Sequence, residues 1–437
     1  MGLAPTPVDC APGTGARTAA NRALSECLRS KRPLDEALDK ATKTLSVRDG
    51  GFARAIAAET MRRFGQLDDL VRRFVPLPPP PHKAGATLEI LLAGSCELLF
   101  LGVAAHAAVD GANRLAAADS KAVHFKPLIN AALRRIASEG PKIVREQDEP
   151  RLNTPDWLWP RWLEIYGEEV TRAVARIHIQ TPPLDLTLRS PSDAAPYEGA
   201  IGLPGNAVRI VGAGRVEALP GFREGRFWVQ DFAASLPVRL FDDVAGRRII
   251  DLCAAPGGKT AQLCALAARV TAVERDEQRM ARLQQNLARL GFDAELVLAD
   301  VRDYQPRDLA DCVLLDGPCS ATGTIRRHPE LPWIKSAAEV AACADTTDEL
   351  LEAAAAMVKS EGLLVFAVCS LEPEEGPEQI AHFLRRHTEF RREPISSAQI
   401  FGLAQCVDGN GDLRTLPCHF AERGGMDGFY AARLARL

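Results

Sequence analysis

The sequence predicts a multidomain chain: an all-α bundle, then a small α+β module, then an α/β domain with a Rossmann-like, doubly wound parallel sheet. Two observations lead to this prediction. Apolar residues recur three and four positions apart from residue 17 to about residue 139, as amphipathic helices require. From residue 227 onward, short apolar segments alternate with helical patterns, which is typical of a parallel sheet covered by helices.

The composition is that of a globular protein. With 437 residues, the chain is long enough for about three domains. Hydrophobic residues at 46% and charged residues at 25% exclude a disordered chain, a fibre and a polytopic membrane protein. The 11 cysteines include no C-x-x-C pair, so neither a disulfide framework nor a metal site is predicted. We find no secretory signal and therefore expect a cytoplasmic protein with no membrane partner.

Changes in composition give the domain boundaries. Gly140 and Pro141 open a polar stretch after the last bundle helix, and prolines at 182 and 183 precede the first strand-like alternation. In chain order, the predicted parts are a disordered extension over 1–15, the bundle over 16–140, a linker over 141–150, the α+β module over 151–225 and the α/β domain over 226–437. Residues 1–140 carry 19 basic and 14 acidic side chains, although the whole chain has a net charge of −4. A polyanionic partner is therefore compatible with the bundle.

The predicted strands of the α/β domain cover 248–252, 270–273, 296–298, 312–315 and 362–367. The sharpest signal in the sequence follows the first of these strands. At residues 251–260 the first strand leads into a glycine turn and a helix start, which would bring backbone amides close to a ligand. A nucleotide P-loop is excluded because Cys253 occupies the position of its first glycine, and the dinucleotide pattern G-x-G-x-x-G is absent. The candidate cofactor contacts in the turn are Cys253, Ala254, Ala255, Pro256, Gly257, Gly258 and Lys259.

Acidic residues follow the next strands at the same expected edge of the sheet. Glu274 ends the second strand, where it could bind ribose hydroxyls or be only a solvent-facing carboxylate before a helix. Asp300 follows the third strand and Asp316 the fourth. Because ligands bind at the carboxyl ends of strands in open α/β sheets, the glycine turn and these carboxylates favour an adenosine without a diphosphate. The predicted cofactor is S-adenosylmethionine.

Two cysteines lie at that same edge. Cys319 follows the fourth strand, after Asp316-Gly317-Pro318, and Cys369 follows the fifth. One buried cysteine on a strand is ordinary packing. Two at adjacent strand ends predict a reactive pair.

These residues carry a resemblance to a known family. Segments 251–260, 316–331 and 365–375 resemble successive motifs of the RNA cytosine-5 methyltransferases of the Nol1/Nop2/Sun family, and the helical front domain resembles the RNA-binding protein NusB. The combination is similar to bacterial enzymes that act on 16S ribosomal RNA. The resemblance implies a class I S-adenosylmethionine-dependent methyltransferase domain, 16S ribosomal RNA as partner, no DNA partner and a monomer.

The resemblance also implies roles for four residues. Cys369 is expected to be the nucleophile that adds to C6 of cytosine, and Cys319 to assist product release. Asp316 is expected to contact the cofactor or the target base. Lys259 is expected near the active site, where its charge would favour a thiolate, although a helix N-cap role fits equally well. In DNA cytosine methyltransferases the nucleophile is the cysteine of the Pro-Cys motif, so Cys319 is the alternative.

The chain departs from the family pattern at three positions. Val368 stands where the family usually has Thr, Glu274 replaces the more common Asp, and Ala321 replaces a frequent Gly. Gln230 and Asp231 belong to a further family-like segment, and we expect that either one could line the site.

Basic residues could hold the RNA. Arg326, Arg327 and His328 follow the Pro-Cys motif and could bind the phosphates that flank the target, and the bundle pairs Arg62-Arg63 and Arg72-Arg73 could do so at longer range. A solvated helix face is the alternative for each arginine pair.

Two other functions remain open on the sequence alone. The same chemistry could act on transfer RNA, or the chain could be a non-catalytic, NusB-like RNA-binding assembly factor that retains the methyltransferase fold as a scaffold. The paired thiols argue against the scaffold, which has no need of them.

Overall fold

The computed structural model describes residues 13–190, 193, 197 and 199–437, and the chain forms two compact units. One contains Met1–Gln180 and His328–Ser336, and the other contains Thr181–Arg327 and Ala337–Leu437. The predicted disordered extension lies outside the described residues over 1–12. Its last two residues, Thr14 and Gly15, are helical.

The first unit is all-α, as predicted. Its helices up to residue 180 are α1 (Thr14–Ser30), α2 (Leu34–Thr42), α3 (Val47–Arg62), α4 (Phe64–Phe74), α5 (Pro81–Ala84), α6 (Thr87–Leu99), α7 (Ala105–Ala118), α8 (Lys126–Glu146), α9 (Glu149–Leu152) and α10 (Trp159–His178). Small buried side chains on one face of α1, such as Ala16, Ala20 and Ala23, pack against α3 and allow close helix contact. A second core forms where α4, α6, α7 and α8 bury leucine and isoleucine side chains.

The linker predicted at 141–150 is wrong, because α8 continues through Gly140 and Pro141 to Glu146. Gly140 is buried, and a Cβ there would lie 3.2 Å from the Leu99 side chain, so the glycine serves close packing and not a chain break. Pro141 lacks an N–H and costs the helix one hydrogen bond. The tertiary contacts of the preceding turns, through residues such as Ile136, hold the helix despite this loss.

The second unit begins with a small antiparallel sheet of order β2-β3-β1-β4, formed by β1 (Leu184–Leu188), β2 (Ile201–Leu203), β3 (Ala207–Ile210) and β4 (Phe227–Val229). The predicted module boundaries at 151 and 225 both need correction. Helix α10 belongs to the first unit, and β4 belongs to the small sheet although it lies beyond residue 225. The sequence could not show this because β4 pairs with β1, some 40 residues earlier in the chain.

The remaining elements are the strands of the large sheet and the helices between them in the chain. They are α11 (Phe232–Arg239), β5 (Arg248–Leu252), α12 (Gly258–Ala265), β6 (Arg269–Glu274), α13 (Glu277–Leu290), β7 (Glu295–Leu298), β8 (Ala310–Asp316), α14 (Leu331–Ile334, in the first unit), α15 (Ala337–Ala356), β9 (Val358–Val368), α16 (Pro377–Arg386), β10 (Phe390–Arg392), β11 (Leu413–Thr415) and β12 (Phe429–Arg436). The sheet order is β10-β12-β9-β8-β5-β6-β7, and β11 pairs with β12.

The large sheet confirms the predicted α/β class and positions the ligand site. β5 to β9 are parallel, as predicted, whereas β12 runs antiparallel to β9 and β10 antiparallel to β12. The strand order reverses between β5 and β8, so a crevice for a ligand opens beyond the carboxyl ends of these two strands. Among the described residues, we find no helix with the length and apolar character that a membrane crossing requires.

Candidate active site

A cavity of about 220 Å³ opens where the carboxyl ends of β5, β6, β8 and β9 meet. Its lining comprises Cys253, Ala255, Val273, Glu274, Arg275, Arg279, Asp300, Val301, Asp316, Gly317, Pro318, Cys319, Ala321, Leu350 and Cys369. The predicted strand-end carboxylates and both predicted thiols therefore share one cavity. Apolar side chains such as Val273, Val301 and Leu350 form part of the wall, as is usual for a small-molecule site.

Two of the predicted cofactor contacts in the glycine turn, Cys253 and Ala255, line the cavity. Ala254 and Gly257 are buried, and Pro256 is exposed. Gly257 has φ 100° and caps α12, so it adopts a backbone conformation that other residues disfavour. Gly258 and Lys259 begin α12 and are absent from the cavity wall. The turn therefore presents strand-end backbone to a ligand, and its glycines serve the change of direction.

Glu274 fits a ribose. Its side chain is 2% exposed and lines the cavity, and its Oε1 accepts a hydrogen bond from the backbone N–H of Asp276 at 3.0 Å. Its Oε2 has no hydrogen-bond partner among the described residues, and the nearest cation, Arg279 Nη1, is 3.6 Å away. A buried carboxylate oxygen without a donor is costly, so the site suits a ligand that brings hydroxyl donors. A purely solvent-facing carboxylate is excluded by this burial.

Asp300 borders the cavity as an ion-paired carboxylate. Its Oδ1 accepts from Arg302 Nε at 2.9 Å, and its Oδ2 from Arg302 Nη2 at 2.8 Å. These hydrogen bonds to Arg302 lower the pKa of Asp300 to about 2. The carboxylate stays charged at any physiological pH and is held in a fixed orientation.

Lys259 and Asp316 form a close ion pair, with Lys259 Nζ 2.6 Å from Asp316 Oδ2. The lysine side chain is 10% exposed and also lies over the Phe429 ring, 5.1 Å from its centroid. Asp316 remains partly exposed on the cavity wall. Lys259 therefore reaches the site through Asp316, which explains why it is near the cavity without lining it.

The two thiols are in contact. Cys319 Sγ and Cys369 Sγ are 3.5 Å apart, and both side chains are half-buried on the cavity wall. The contact with Cys369 and then burial raise the pKa of Cys319 well above its usual value, and the charge of Glu375 acts in the same direction. Thiolate chemistry at neutral pH is therefore disfavoured for Cys319.

The departures from the family pattern have clear positions. Ala321 has φ 61°, a left-handed conformation that glycine adopts without cost, which is why a glycine is frequent there. Val368 is fully buried at the end of β9, opposite Tyr430 of β12. Position 368 therefore carries an apolar side chain that packs in the core, where the usual Thr of the family would carry a hydroxyl.

Of the two arginines expected to flank the target, Arg326 is buried and Arg327 is exposed. Arg326 is 1% exposed and pairs with Asp231 and Asp427. Its Nε lies 3.0 Å from Asp427 Oδ1. Arg327 binds the same Asp427 carboxylate, at 2.8 Å from Nε. The prediction that Arg326 holds RNA phosphates is wrong, because two buried carboxylates already take its charge. His328 belongs to the first unit, where its Nδ1 lies 3.7 Å from Asp35 Oδ2.

Gln230 and Asp231 are likewise structural. Asp231 caps α11 through the N–H of Ala233 at 2.9 Å, and Gln230 Oε1 accepts from Thr187 and Trp228. Neither residue lines the cavity. Both instead bind neighbouring elements of the second unit.

In the bundle, Arg62 and Arg63 also serve the fold. Arg62 is buried beside Glu59, and Arg63 binds Glu59 at 2.8 Å and lies over the Phe100 ring. The burial of Arg62 contradicts its predicted RNA contact, whereas the contact of the half-buried Arg63 stays a prediction. Arg72 and Arg73 are exposed on α4, and each pairs with an aspartate four residues earlier.

Sequence reasoning missed several residues of the cavity wall. Arg279 on the first turn of α13 donates to the Ala255 carbonyl at 2.8 Å, and its place just after a ribose-binding strand end was a usable signal. Leu350 comes from α15, and no sequence pattern indicates that this helix face reaches the cavity. Only the packing of α15 against β8 and β9 brings it there.

Two family models match the chain, and curated relatives cover most of it. The model of the 16S rRNA methyltransferase RsmB/F matches residues 239–435, and that of the NusB family matches residues 14–138. The ribosomal RNA small subunit methyltransferase B of Pseudomonas putida is 34% identical over 443 residues, which cover 96% of this chain and 98% of the relative. The protein of the same name from Klebsiella pneumoniae is 33% identical over 392 residues, with coverages of 85% and 89%.

Solved structures confirm the fold. The crystal structure of PH0851 is similar with a TM-score of 0.76 at 23% identity, covering 97% of this chain and 99% of that one. NSun6 from Pyrococcus horikoshii with SFG gives a TM-score of 0.56 at 18% identity, covering 64% of this chain and 98% of that one. Because the identity and coverage of the sequence relatives are high, the chain belongs to the 16S rRNA methyltransferase RsmB/F family and carries a NusB-family domain at its front.

Proposed function

We propose that this protein transfers a methyl group from S-adenosylmethionine to C5 of a cytosine in 16S ribosomal RNA, in the cytoplasm. The cofactor follows from family membership, and the ribosomal substrate is the one that the names of the relatives carry. The observation that carries the chemistry is the contact of two thiols on the wall of the strand-end cavity. The monomeric state and the lack of a DNA partner stay predictions.

The reaction needs a thiolate because cytosine C5 is a weak nucleophile. A thiolate that adds to C6 makes C5 an enamine-like carbon. Bound S-adenosylmethionine supplies the electrophilic methyl group that this carbon takes. We assign the addition to Cys369 because the resemblance to the RNA cytosine-5 methyltransferases implies it, and Cys319 is the alternative.

Release requires a proton transfer and the loss of the sulfur. After methylation the C5 proton leaves, the electron pair reforms the C5–C6 double bond, and the bond between Cys369 Sγ and C6 breaks. Cys319 Sγ lies 3.5 Å from Cys369 Sγ and is therefore within reach of the adduct. We assign to Cys319 a role in this release, in which its thiol donates a hydrogen bond to the departing Cys369 sulfur and water takes the C5 proton.

The Lys259–Asp316 pair supports recognition of the base. A carboxylate can accept a hydrogen bond from the exocyclic amine of cytosine. Asp316 is partly exposed on the cavity wall, and Lys259 holds its Oδ2 at 2.6 Å. We propose that Asp316 binds the cytosine edge and that Lys259 orients the carboxylate. The base must be unstacked to reach the cavity, as in other enzymes that modify bases.

Variants of the two cysteines test the function. Cys369→Ala should abolish methyl transfer to unmodified 16S ribosomal RNA and abolish adduct trapping on RNA that contains 5-fluorocytosine. It should leave S-adenosylmethionine binding, measured by calorimetry, unchanged. Cys319→Ala should still form the adduct and should accumulate it. Bisulfite sequencing of the product would identify the cytosine.

Two outcomes would contradict the proposal. Loss of the adduct in Cys319→Ala but not in Cys369→Ala would reverse the two roles. Methylation of transfer RNA alone, or tight RNA binding without any transfer, would remove the ribosomal RNA methyltransferase function itself.

A further inference from the structure

One buried carboxylate joins the two loops that carry the thiols. Glu375 is fully buried. Its Oε1 accepts from the backbone N–H of Ser320 at 2.6 Å, and its Oε2 accepts from the Ser320 hydroxyl at 2.6 Å and from the Ser370 hydroxyl. Ser320 directly follows Cys319, and Ser370 directly follows Cys369. A single side chain therefore binds the residue next to each thiol.

Further hydrogen bonds connect the same two loops. The Ser370 hydroxyl gives its hydrogen to the carboxylate, so the Thr322 hydroxyl, 3.3 Å away, must donate to it. Thr322 Oγ1 in turn accepts from the N–H of Leu371 at 3.0 Å. The N–H of Gly323 donates to the carbonyl of Cys369 at 3.0 Å. The loops after β8 and β9 thus form one hydrogen-bonded unit, with the carboxylate at its centre.

Only a carboxylate satisfies this centre. Three donors converge on Glu375, and an ionised carboxylate offers acceptor positions for all of them. An amide in its place would lose acceptors and present N–H groups to donors. The pKa of Glu375 is raised, because the effect of burial exceeds the opposing effect of the hydrogen bonds from Ser320 and Ser370.

We propose that Glu375 is a positioning residue for methyl transfer, which sets the separation of the Cys319 and Cys369 sulfurs by binding the serine after each. This proposal rests on the proposed function, because the positioning by Glu375 matters for two thiols that act in turn on one cytosine. The second thiol must reach the adduct formed by the first. A misplacement of about 1 Å at such a site costs on the order of 100-fold in rate.

The first experiment measures thiol proximity without any enzymatic reaction. Phenylarsine oxide condenses with two neighbouring thiols, forming two As–S bonds and releasing one water. The native chain should bind one equivalent with an affinity that Cys319→Ala and Cys369→Ala both remove. Glu375→Gln should weaken this binding at least about 10-fold, because a displacement near 1 Å disfavours bridging. Glu378→Gln, an exposed glutamate in the same region, is the matched control.

The second experiment is steady-state kinetics of methyl transfer. Glu375→Gln should lower kcat about 100-fold, with KM for S-adenosylmethionine and for RNA within about two-fold of native. Equal arsenical affinity in native and Glu375→Gln would overturn the proposal, as would a change confined to KM. If the native chain methylates no cytosine, the proposed function fails, while the arsenical result still decides whether Glu375 positions the thiols.

A serine variant covers the case in which Glu375→Gln does not fold. Ser320→Ala combined with Ser370→Ala removes the hydroxyl donors and keeps the carboxylate. It should reduce kcat and arsenical affinity in the same way as Glu375→Gln. Native kcat and native arsenical affinity in the serine variant would overturn the proposal. If Glu375→Gln does fold, the loss in the triple variant should be smaller than the sum of the separate losses, and additive losses would show that the three residues act independently.

Discussion

Asp251 lies beneath the glycine turn at the end of β5, 1% exposed, where its Oδ2 accepts from the Thr260 hydroxyl at 2.6 Å. Burial raises the pKa of Asp251 from 3.8 to about 7, although the bond from Thr260 opposes the shift. Its Oδ1 has no hydrogen-bond partner among the described residues. Ionisation of the Asp251 carboxyl therefore destabilises the folded state.

The consequence is a pH-dependent stability. Between about pH 4 and pH 7 the folded chain retains a proton that the unfolded chain has released, so stability falls as the pH rises through this window. Asp251→Asn keeps an acceptor for Thr260 and removes the charge. We expect the variant to be more stable than native at pH 8 by a few kcal/mol, with an advantage that shrinks toward pH 5.

Chemical denaturation of both proteins at the two pH values measures this effect. Asp303→Asn, at an exposed carboxylate on the same side of the sheet, should show no pH-dependent difference from native. A stability difference for Asp251→Asn that is the same at pH 5 and pH 8 would mean that the carboxyl titrates normally in the folded chain.

Which side chains the sequence could place depends on where their partners lie. Glu274, Cys319 and Cys369 were predictable, because the carboxyl ends of parallel strands meet at one edge. Arg326 was not, because its partners Asp231 and Asp427 lie 95 and 101 positions away in the chain. A charge run shows that cations are present, but it does not show which acids will neutralise them.

At the scale of elements, the loop after β8 meets the start of β12 backbone to backbone. The N–H of Gly428 donates to the Gly323 carbonyl at 2.8 Å, and the N–H of Gly323 donates to the Cys369 carbonyl at 3.0 Å. A Cβ at Gly323 would lie 1.9 Å from the Gly428 oxygen. The turn at Thr322–Thr324 therefore requires glycine for close approach, and it links the loop that follows β9 to the start of β12.

Gly323→Ala should separate these elements. We expect it to destabilise the fold by about 1–3 kcal/mol, since backbone must move to accept the methyl group. Because Gly323 binds the Cys369 carbonyl, we also expect slower adduct formation on RNA containing 5-fluorocytosine. Gly409→Ala is the control, because no described atom lies within 4 Å of a Cβ there. Native adduct kinetics in Gly323→Ala would show that the thiol does not depend on this contact.

Element prediction succeeded where local pattern and tertiary role agree. The five parallel strands of the large sheet carry short apolar runs, and all of them form as predicted. The antiparallel edge was not predicted as such, because β10 and β11 are each short and pair only through β12. Pro141 predicted a helix end, and the packing of α8 overrides that local preference.

At the scale of the whole molecule, two arginines of the first unit are paired with buried carboxylates. Arg17 pairs with Glu97 at 2.6 Å, and Arg29 with Glu89 at 2.6 Å, in both cases with a buried carboxylate. Each such pair takes up one basic and one acidic side chain, so the excess of 19 basic over 14 acidic residues in residues 1–140 is unchanged and lies on the remaining side chains. Surface ion pairs contribute about 0–1 kcal/mol to stability, so an arginine in such a pair can readily bind a phosphate instead. The arginines of exposed ion pairs are therefore the RNA-binding candidates.

Arg72 and Arg73 are the exposed pair to test, with side chains 52% and 50% exposed on α4. Arg72→Ala combined with Arg73→Ala should weaken binding of 16S ribosomal RNA. It should also reduce the slope of log affinity against log salt concentration by about 1.5, since each phosphate contact contributes about 0.7–0.9. Stability should change by no more than about 0.5 kcal/mol, because both ion pairs are solvated.

The matched control is Arg22→Ala combined with Arg114→Ala, which removes two arginines of comparable exposure that also pair with acids four residues away. Fluorescence anisotropy with labelled RNA over a series of salt concentrations measures all three proteins. Because counterion release depends on the number of phosphates contacted, only a variant that loses contacts changes the slope. An equal change of slope in both variants would mean that the bundle attracts RNA through its overall field, and that α4 provides no defined contact.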